Sequence, residues 1–101
     1  MQRDIITSPF VFHNWCSHLK KVWALDTETT SLKYLELEIV GFSIYDGSRA
    51  CYVALTNEYA KRDRQQLLDI LQYYINEVRL IIMHNAAYDM MVLKKYGVEI
   101  K

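Results

Sequence analysis

The spacing of apolar residues predicts a short helix near the start of the chain. Pro9 closes a first segment that has no clear pattern, and we expect that segment to be an irregular tail. Between residues 10 and 20 apolar side chains recur at intervals of three and four, as they do along one stripe of a helix. The stripe consists of Val11, Phe12, Trp15, Cys16 and Leu19. Residues 1–20 are therefore interpreted as a tail and a docking helix.

Three strand-like runs follow and predict an antiparallel meander. Residues 22–25 form an apolar run that leads into the polar cluster 26–31, so we expect a strand followed by a loop. Residues 37–45 and 50–55 are rich in β-branched and aromatic side chains. Asp46-Gly47, between these two runs, is a strong hairpin signal. Because hairpins join antiparallel neighbours, three consecutive strands of this kind form a meander.

The period of the pattern changes after residue 57 and predicts a helix, a strand and a second helix. Apolar residues between 67 and 78 follow helical spacing, which indicates a helix that crosses one face of the sheet. Residues 80–83 predict a short buried strand, parallel to the first because a helix precedes it. Residues 86–96 predict another helix, with Met90, Val92 and Leu93 facing inward and Gly97 as its C-cap.

This order of elements predicts an α/β fold with a mixed sheet, in which the strands at 22–25 and 80–83 are neighbours. Ligands of open α/β sheets bind beyond the carboxyl ends of the strands. The polar clusters 26–31 and 84–89 both fall at such ends. We therefore expect the two clusters to meet at one location.

Composition and charge narrow the class of protein. The 101 residues are 51% hydrophobic, contain 3 Gly and 1 Pro, and carry 12 basic and 12 acidic side chains. These values indicate a single domain with a core and exclude a disordered chain. Cys16 and Cys51 are far apart and no secretory signal is visible, so we expect reduced thiols, a cytoplasmic location and no membrane partner. The balanced charge means that nucleic-acid binding would depend on local sites or metal ions.

The two polar clusters contain carboxylates in a spacing that suits metal ions. Asp26 and Glu28 are one residue apart at the end of a strand, so both side chains lie on the same face. Close carboxylates repel unless a cation lies between them, and an oxygen-only site suits Mg²⁺ or Mn²⁺. Asp89 follows Asn85 by four residues, so both would point the same way. The alternatives are a solvated loop, an N-cap at Asn85 and a dipole-favoured first-turn residue at Asp89.

Two segments resemble the motifs of a known family. Residues 22–32, VWALDTETTSL, are similar to the first motif of the DEDD superfamily of 3′–5′ exonucleases. Residues 84–93, HNAAYDMMVL, are similar to the second motif. The order and spacing resemble the proofreading domain of family A DNA polymerases, the DNA polymerase I type, and also ribonuclease D. The resemblance covers residues 21–101.

The resemblance implies an RNase H-like fold and hydrolysis of the 3′-terminal phosphodiester of single-stranded DNA by two divalent cations, Mg²⁺ or Mn²⁺. RNA stays open as a substrate. It implies that the catalytic residues Asp26, Glu28 and Asp89 bind the metal ions, with Asp26 bridging both. It further implies that six residues bind the terminal nucleotide: Thr27, Thr29, Thr30, Leu32, Asn85 and Tyr88.

The chain departs from the family pattern after Asp89. The third motif of the family, Tyr-x-x-x-Asp or His-x-x-x-Asp, does not follow this residue in the sequence. We therefore expect residues 1–101 to be one partial exonuclease domain, incomplete at its C-terminus, with 21–101 as its core and with weak or no activity. We also expect self-association, or a second chain that covers exposed sheet or supplies the motif. The alternative is a non-catalytic module that binds nucleic-acid ends or a protein.

Overall fold

A computed structural model describes residues 2–18, 21–31, 33, 35–56 and 61–100. Its strands are β1 (Gln2–Ile6), β2 (Val22–Thr29), β3 (Ile39–Tyr45), β4 (Arg49–Ala54) and β5 (Leu80–Ile82). Its helices are α1 (Pro9–Cys16), α2 (Arg64–Glu77) and α3 (Ala86–Lys95). The strand order is β1-β4-β3-β2-β5. β2, β3 and β4 are antiparallel, whereas β1 and β5 run parallel to their neighbours. The predicted mixed α/β sheet is confirmed.

The irregular tail predicted before Pro9 is wrong, because this segment forms β1. The strand pairs in parallel with β4, and Ile6 lies opposite Val53. Ile6 is buried in the core, whereas Ile5 is 75% exposed. This alternation is the normal period of a strand at the edge of a sheet. With only two apolar residues, the segment is too short and too polar to show that period in the sequence.

Helix α1 is shorter than the predicted range 10–20. Ser8 caps its start, because the Ser8 hydroxyl accepts a hydrogen bond from the Val11 N–H at 3.5 Å. Pro9 occupies the first turn, where its missing N–H leaves no bond unmade. The buried side chains of α1 are Phe12, Trp15 and Cys16. Val11 is 48% exposed, so the prediction that it lies on the buried stripe is wrong. Leu19, the last member of the predicted stripe, lies outside the described residues.

Strand β2 continues beyond the apolar run and ends at Thr29, so positions 26–29 lie in the sheet and not in the predicted loop. Pairing with β3 keeps them extended: Asp26 lies opposite Ser43, and Glu28 lies opposite Gly41. The register then shifts between Glu28 and Thr29, where β3 has one residue more than β2. Backbone pairing with β3 therefore overrides the polar character of this segment.

Strand β5 is the neighbour of β2, as predicted, but it is not buried. Leu80 is 52% and Ile82 is 53% exposed, because β5 lies at the edge of the sheet. In α3, Val92 and Leu93 are buried as predicted, whereas Met90 is 39% exposed and does not face inward. Gly97 has a φ of +84° and ends α3 in the left-handed conformation that favours glycine.

The two faces of the sheet have different surroundings. Buried side chains of the sheet, among them Trp23, Leu25 and Phe42, share one core with buried residues of α1, α2 and α3. The opposite face exposes five large hydrophobic side chains, which the strand pairing places on the same side of the sheet. We call this side of the sheet the open sheet face; its exposed large hydrophobic side chains are Ile5, Val22, Tyr45, Leu80 and Ile82. No helix within the described ranges is long and apolar enough to cross a membrane.

Candidate functional site

Asp26 and Glu28 lie on the open sheet face, and both are exposed. Their common direction follows from the period of two along β2. Directly after Glu28 the register with β3 shifts, because β3 has one extra residue, Val40, between the partners of Glu28 and Thr29. The strand thus presents two carboxylates to solvent at its carboxyl end, as the sequence predicted.

Asp89 lies in the first turn of α3 and is 1% exposed. Its Oδ1 accepts hydrogen bonds from the Thr27 hydroxyl at 2.6 Å and from the Thr27 N–H at 3.4 Å. Its Oδ2 is buried and has no hydrogen-bond partner among the described residues. A buried carboxylate oxygen without a donor is costly unless a proton or a cation neutralises it.

Some groups around Asp89 raise its pKa and others lower it. Burial raises the pKa of Asp89, and the nearby charge of Asp26 raises it further. The hydrogen bonds from Thr27 and the charge of His84 lower this pKa, but burial outweighs them. The influence of Asp26 shows that the fold brings the strand carboxylate and the helix carboxylate into one electrostatic environment. This joins the two motifs that the sequence predicted to meet.

Asn85 is the N-cap of α3. Its side-chain oxygen accepts a hydrogen bond from the Tyr88 N–H at 3.5 Å, and its carbonyl oxygen accepts one from the Asp89 N–H at 2.9 Å. Asn85 therefore acts as an N-cap, which was the alternative interpretation of this residue. Asn85 and Asp89 have different partners, since the Asp89 side chain bonds across to β2.

The hydroxyl groups predicted to bind the nucleotide have partners within the protein. The Tyr88 hydroxyl is hydrogen bonded to the Thr29 hydroxyl, which donates to the Ser31 carbonyl oxygen at 2.9 Å. The Thr30 hydroxyl accepts from the Glu38 N–H at 3.0 Å. These contacts attach the segment after β2 to α3 and to the start of β3. Leu32, the remaining predicted contact, lies outside the described residues.

A groove of about 670 Å³ opens beside Asp26 on the open sheet face. Ser43, Tyr45, Ile82 and His84 are among its lining residues. His84 was not among the predicted site residues, although it is exposed next to Asp26 and influences the pKa of Asp89. Its position directly after β5, the neighbour of β2, was the signal that could have identified it.

The oxygen ligands suit a hard cation that is not enclosed by protein alone. Among the described residues, no three side chains of His, Cys, Asp or Glu lie close enough together to hold a metal ion. The unsatisfied Oδ2 of Asp89 nevertheless offers a buried anionic ligand. Mg²⁺ usually binds through one or two protein carboxylates and completes its shell with waters and phosphate oxygens. The residues present therefore fit such a cation.

Comparison with known proteins identifies the family. The family model described as 3′–5′ exonuclease matches residues 4–101. The chain belongs to the 3′–5′ exonuclease family. This exonuclease chain is 33% identical, over 122 residues, to DNA polymerase I of Rhizobium leguminosarum. That alignment covers 96% of the chain and 12% of the polymerase, so the chain spans about an eighth of its relative.

Two solved structures show the same fold. Escherichia coli RNase D, an exoribonuclease, superposes with a TM-score of 0.73 at 16% identity, covering 94% of this chain and 24% of RNase D. Brucella melitensis NrnC with bound Mg²⁺ superposes with a TM-score of 0.58 at 15% identity, covering 99% of this chain and 45% of NrnC. The RNase H-like sheet and the DEDD exonuclease assignment are confirmed, and the chain is a 3′–5′ exonuclease domain of the DNA polymerase I type.

Proposed function

We propose that this exonuclease domain removes nucleotides from the 3′ end of single-stranded DNA by hydrolysis with two divalent cations, Mg²⁺ or Mn²⁺. The observation that carries the proposal is the environment of Asp89. This buried carboxylate is bonded to the residue between Asp26 and Glu28 and keeps one oxygen without a partner among the described residues. A chain does not leave such an oxygen unpaired without a cost, which a cation would offset.

Three carboxylates would hold the cations in this proposal. Asp26 would contribute to both cation sites, Glu28 to one and Asp89 to the other. When bound, the cations polarise the scissile phosphate, lower the pKa of the attacking water and stabilise the leaving 3′ oxygen. Asp26 and Glu28 are exposed at the end of β2, where the 3′ end of a DNA strand would have access to them. Cations rather than basic side chains would then neutralise the phosphates, in keeping with 12 basic and 12 acidic residues.

The predicted nucleotide contacts take an indirect form in this proposal. Thr29 and Tyr88 bond to each other, and Thr30 bonds to the backbone of Glu38. These residues would therefore fix the shape of segment 29–31, and Asn85 would fix the start of α3. Leu32 would follow that segment as the apolar contact to the terminal base. DNA is favoured over RNA because the 33% identical relative is a DNA polymerase, whereas the likeness to RNase D shows the fold alone.

The experiment is release of the terminal nucleotide from a 3′-labelled single-stranded oligonucleotide in Mn²⁺, with protein in excess. Asp26→Ala and Glu28→Ala should abolish it. Asp69→Ala, an exposed change on α2, is the matched control and should leave it unchanged. A 5′-labelled DNA and an RNA of the same sequence establish direction and substrate.

Two results would contradict the proposal. Equal release by the wild type and by Asp26→Ala would show that the activity does not come from this site. If the wild type neither releases label nor binds Mn²⁺ in a calorimetric titration, the carboxylates do not form a metal site. The non-catalytic module, which the family match does not favour, would then be the better description.

A further inference from the structure

We propose that Thr27 is a positioning residue, which holds Asp89 in the orientation that binds a cation, and that it does not contact the nucleotide. This inference rests on the proposed function, because it concerns the same metal site. Thr27 stands between Asp26 and Glu28 in the sequence, but its side chain lies on the opposite face of β2. It is 7% exposed, whereas both neighbours are exposed.

One residue supplies both hydrogen bonds that the Asp89 carboxylate receives from the described part of the chain. The Thr27 hydroxyl donates to Oδ1 at 2.6 Å, and the Thr27 N–H donates to the same oxygen at 3.4 Å. An O–H···O⁻ bond of this length is a charge-assisted hydrogen bond, which is stronger than a neutral one. With Oδ1 held, rotation of the carboxylate is restricted, and Oδ2 is left as the ligand oxygen.

The hydroxyl of Thr27 is not available to a nucleotide. Its single proton is donated to Asp89, and its side chain is buried. The same bond links a residue of β2 to a residue of α3 that is 62 positions away in the sequence. It therefore sets the position of the helix carboxylate relative to the strand that carries Asp26 and Glu28. Metal ligands commonly depend on such supporting hydrogen bonds for their orientation.

The test compares variants at position 27 by Mn²⁺ binding alone, so it does not depend on activity. Thr27→Val keeps the volume and removes the donor, and loss of a supporting partner of this kind weakens metal affinity by about 10–100-fold. Thr27→Ser keeps the hydroxyl and should retain most of the affinity. Thr56→Val is the matched control, because Thr56 is exposed outside the site, and it should bind as the wild type does.

Two further comparisons separate a positioning role from a general packing role. Thr27→Ser and Thr27→Ala differ only in the hydroxyl, so they test the donor even if Thr27→Val fails to fold. Thr27→Val is also combined with Asp89→Asn. If Thr27 acts only through Asp89, the Thr27→Val substitution should not weaken Mn²⁺ binding beyond the effect of Asp89→Asn alone. Circular dichroism at the titration temperature confirms that each variant is folded.

The outcomes distinguish this inference from the proposed function. Equal Mn²⁺ affinity of wild type, Thr27→Val and Thr27→Ala overturns the inference and leaves the metal site intact. Equal weakening by Thr27→Ser and Thr27→Ala also overturns it, because the methyl group and not the hydroxyl would then matter. A wild-type chain that binds no Mn²⁺ overturns the proposed function and this inference together. Loss of Mn²⁺ affinity in Thr27→Val and Thr27→Ala, with the affinity retained in Thr27→Ser, supports the positioning role of Thr27.

Discussion

Replacing Asp46 with asparagine should destabilise the domain at neutral pH and have little effect in acid. Asp46 closes the hairpin between β3 and β4, and its side chain is fully buried. Its Oδ1 accepts from the N–H groups of Ser48 and Arg49 at 3.0 and 2.7 Å. Its Oδ2 accepts from the Arg49 side chain, at 3.0 Å from Nη2 and 3.2 Å from Nε. Gly47, with a φ of +99°, allows this predicted turn to form.

Arg49 extends the effect of Asp46 to helix α1. Its Nη2 also donates to the carbonyl oxygens of Trp15 at 3.2 Å and His18 at 3.3 Å. The guanidinium carbon lies 4.4 Å from the centroid of the Trp15 ring. Holding the guanidinium with Asp46 therefore also holds the C-terminal end of α1 against the sheet.

The magnitude follows from the bonds that asparagine cannot make. In Asp46→Asn the side-chain oxygen would still accept from the two backbone N–H groups, but the new amide would turn N–H donors toward the guanidinium of Arg49. Hydrogen bonds to charged groups contribute about 1.5–3 kcal/mol each. The Arg49 side chain is 28% exposed, so solvent reduces the value of the pair. We expect a loss of about 2 kcal/mol in the free energy of unfolding, or about 8–16 °C in Tm for a domain of this size.

The sign of the pH dependence follows from the pKa of Asp46. Burial alone would raise this pKa, but the hydrogen bonds from the backbone of Arg49 and Ser48 and the Arg49 side chain lower it below 3.8. A group whose folded pKa is depressed stabilises the protein above its unfolded pKa, and this contribution is lost as pH falls through the folded pKa. The free energy of unfolding of the wild type should therefore exceed that of Asp46→Asn by the full amount above about pH 5. The difference should shrink progressively below about pH 4.

Thermal unfolding followed by circular dichroism, at a series of pH values from neutral to acid, measures this difference. Asp69→Asn is the control, since Asp69 is exposed on α2 and surface changes alter stability by less than about 0.5 kcal/mol. A difference that stays constant as pH falls would refute the role of the charge. An Asp46→Asn variant as stable as the wild type at neutral pH would refute the contribution of the whole hydrogen-bonded turn.

Two further predictions concern the site and the open sheet face. Tyr88→Phe removes the hydroxyl that joins α3 to Thr29, so it should lower the free energy of unfolding by about 1 kcal/mol. It should also speed hydrogen exchange of the backbone amides at 29–31, and unchanged exchange there would contradict this prediction. We expect the open sheet face to support self-association, and Ile82→Ser, which makes a 53% exposed position of β5 polar, should weaken it. Sedimentation velocity at increasing concentration measures this, and equal association of wild type and variant would exclude the open sheet face as the contact.

Local periodicity was sufficient to predict the centre of the sheet. The apolar runs of β2, β3 and β4 are long enough to show strand composition, and the Asp46-Gly47 turn specifies the antiparallel pairing of β3 with β4. The period of two also placed Asp26 and Glu28 on one face. These features depend on residues close together in the sequence, and for this reason the sequence alone reveals them.

The edges of the sheet could not be predicted in the same way. β1 exists because it pairs with β4, which begins 47 residues after the first residue of β1. β5 is apolar, yet its exposure depends on what packs over the sheet, and a short apolar run does not record this. The site has the same limit: the sequence identifies Thr27 and Asp89 as members of two motifs, but the bond between them spans 62 positions.

Asp46 and Asp89 are two buried carboxylates with different surroundings. Donors from the protein satisfy both oxygens of Asp46, and its pKa is lowered. Within the described residues only one oxygen of Asp89 is satisfied, and its pKa is raised. A carboxylate that serves stability is complete within the fold, whereas one that serves a ligand keeps a position open at a cost in stability. A bound cation should therefore stabilise the domain through Asp89, and this gain should disappear in Asp89→Asn but persist in Asp46→Asn.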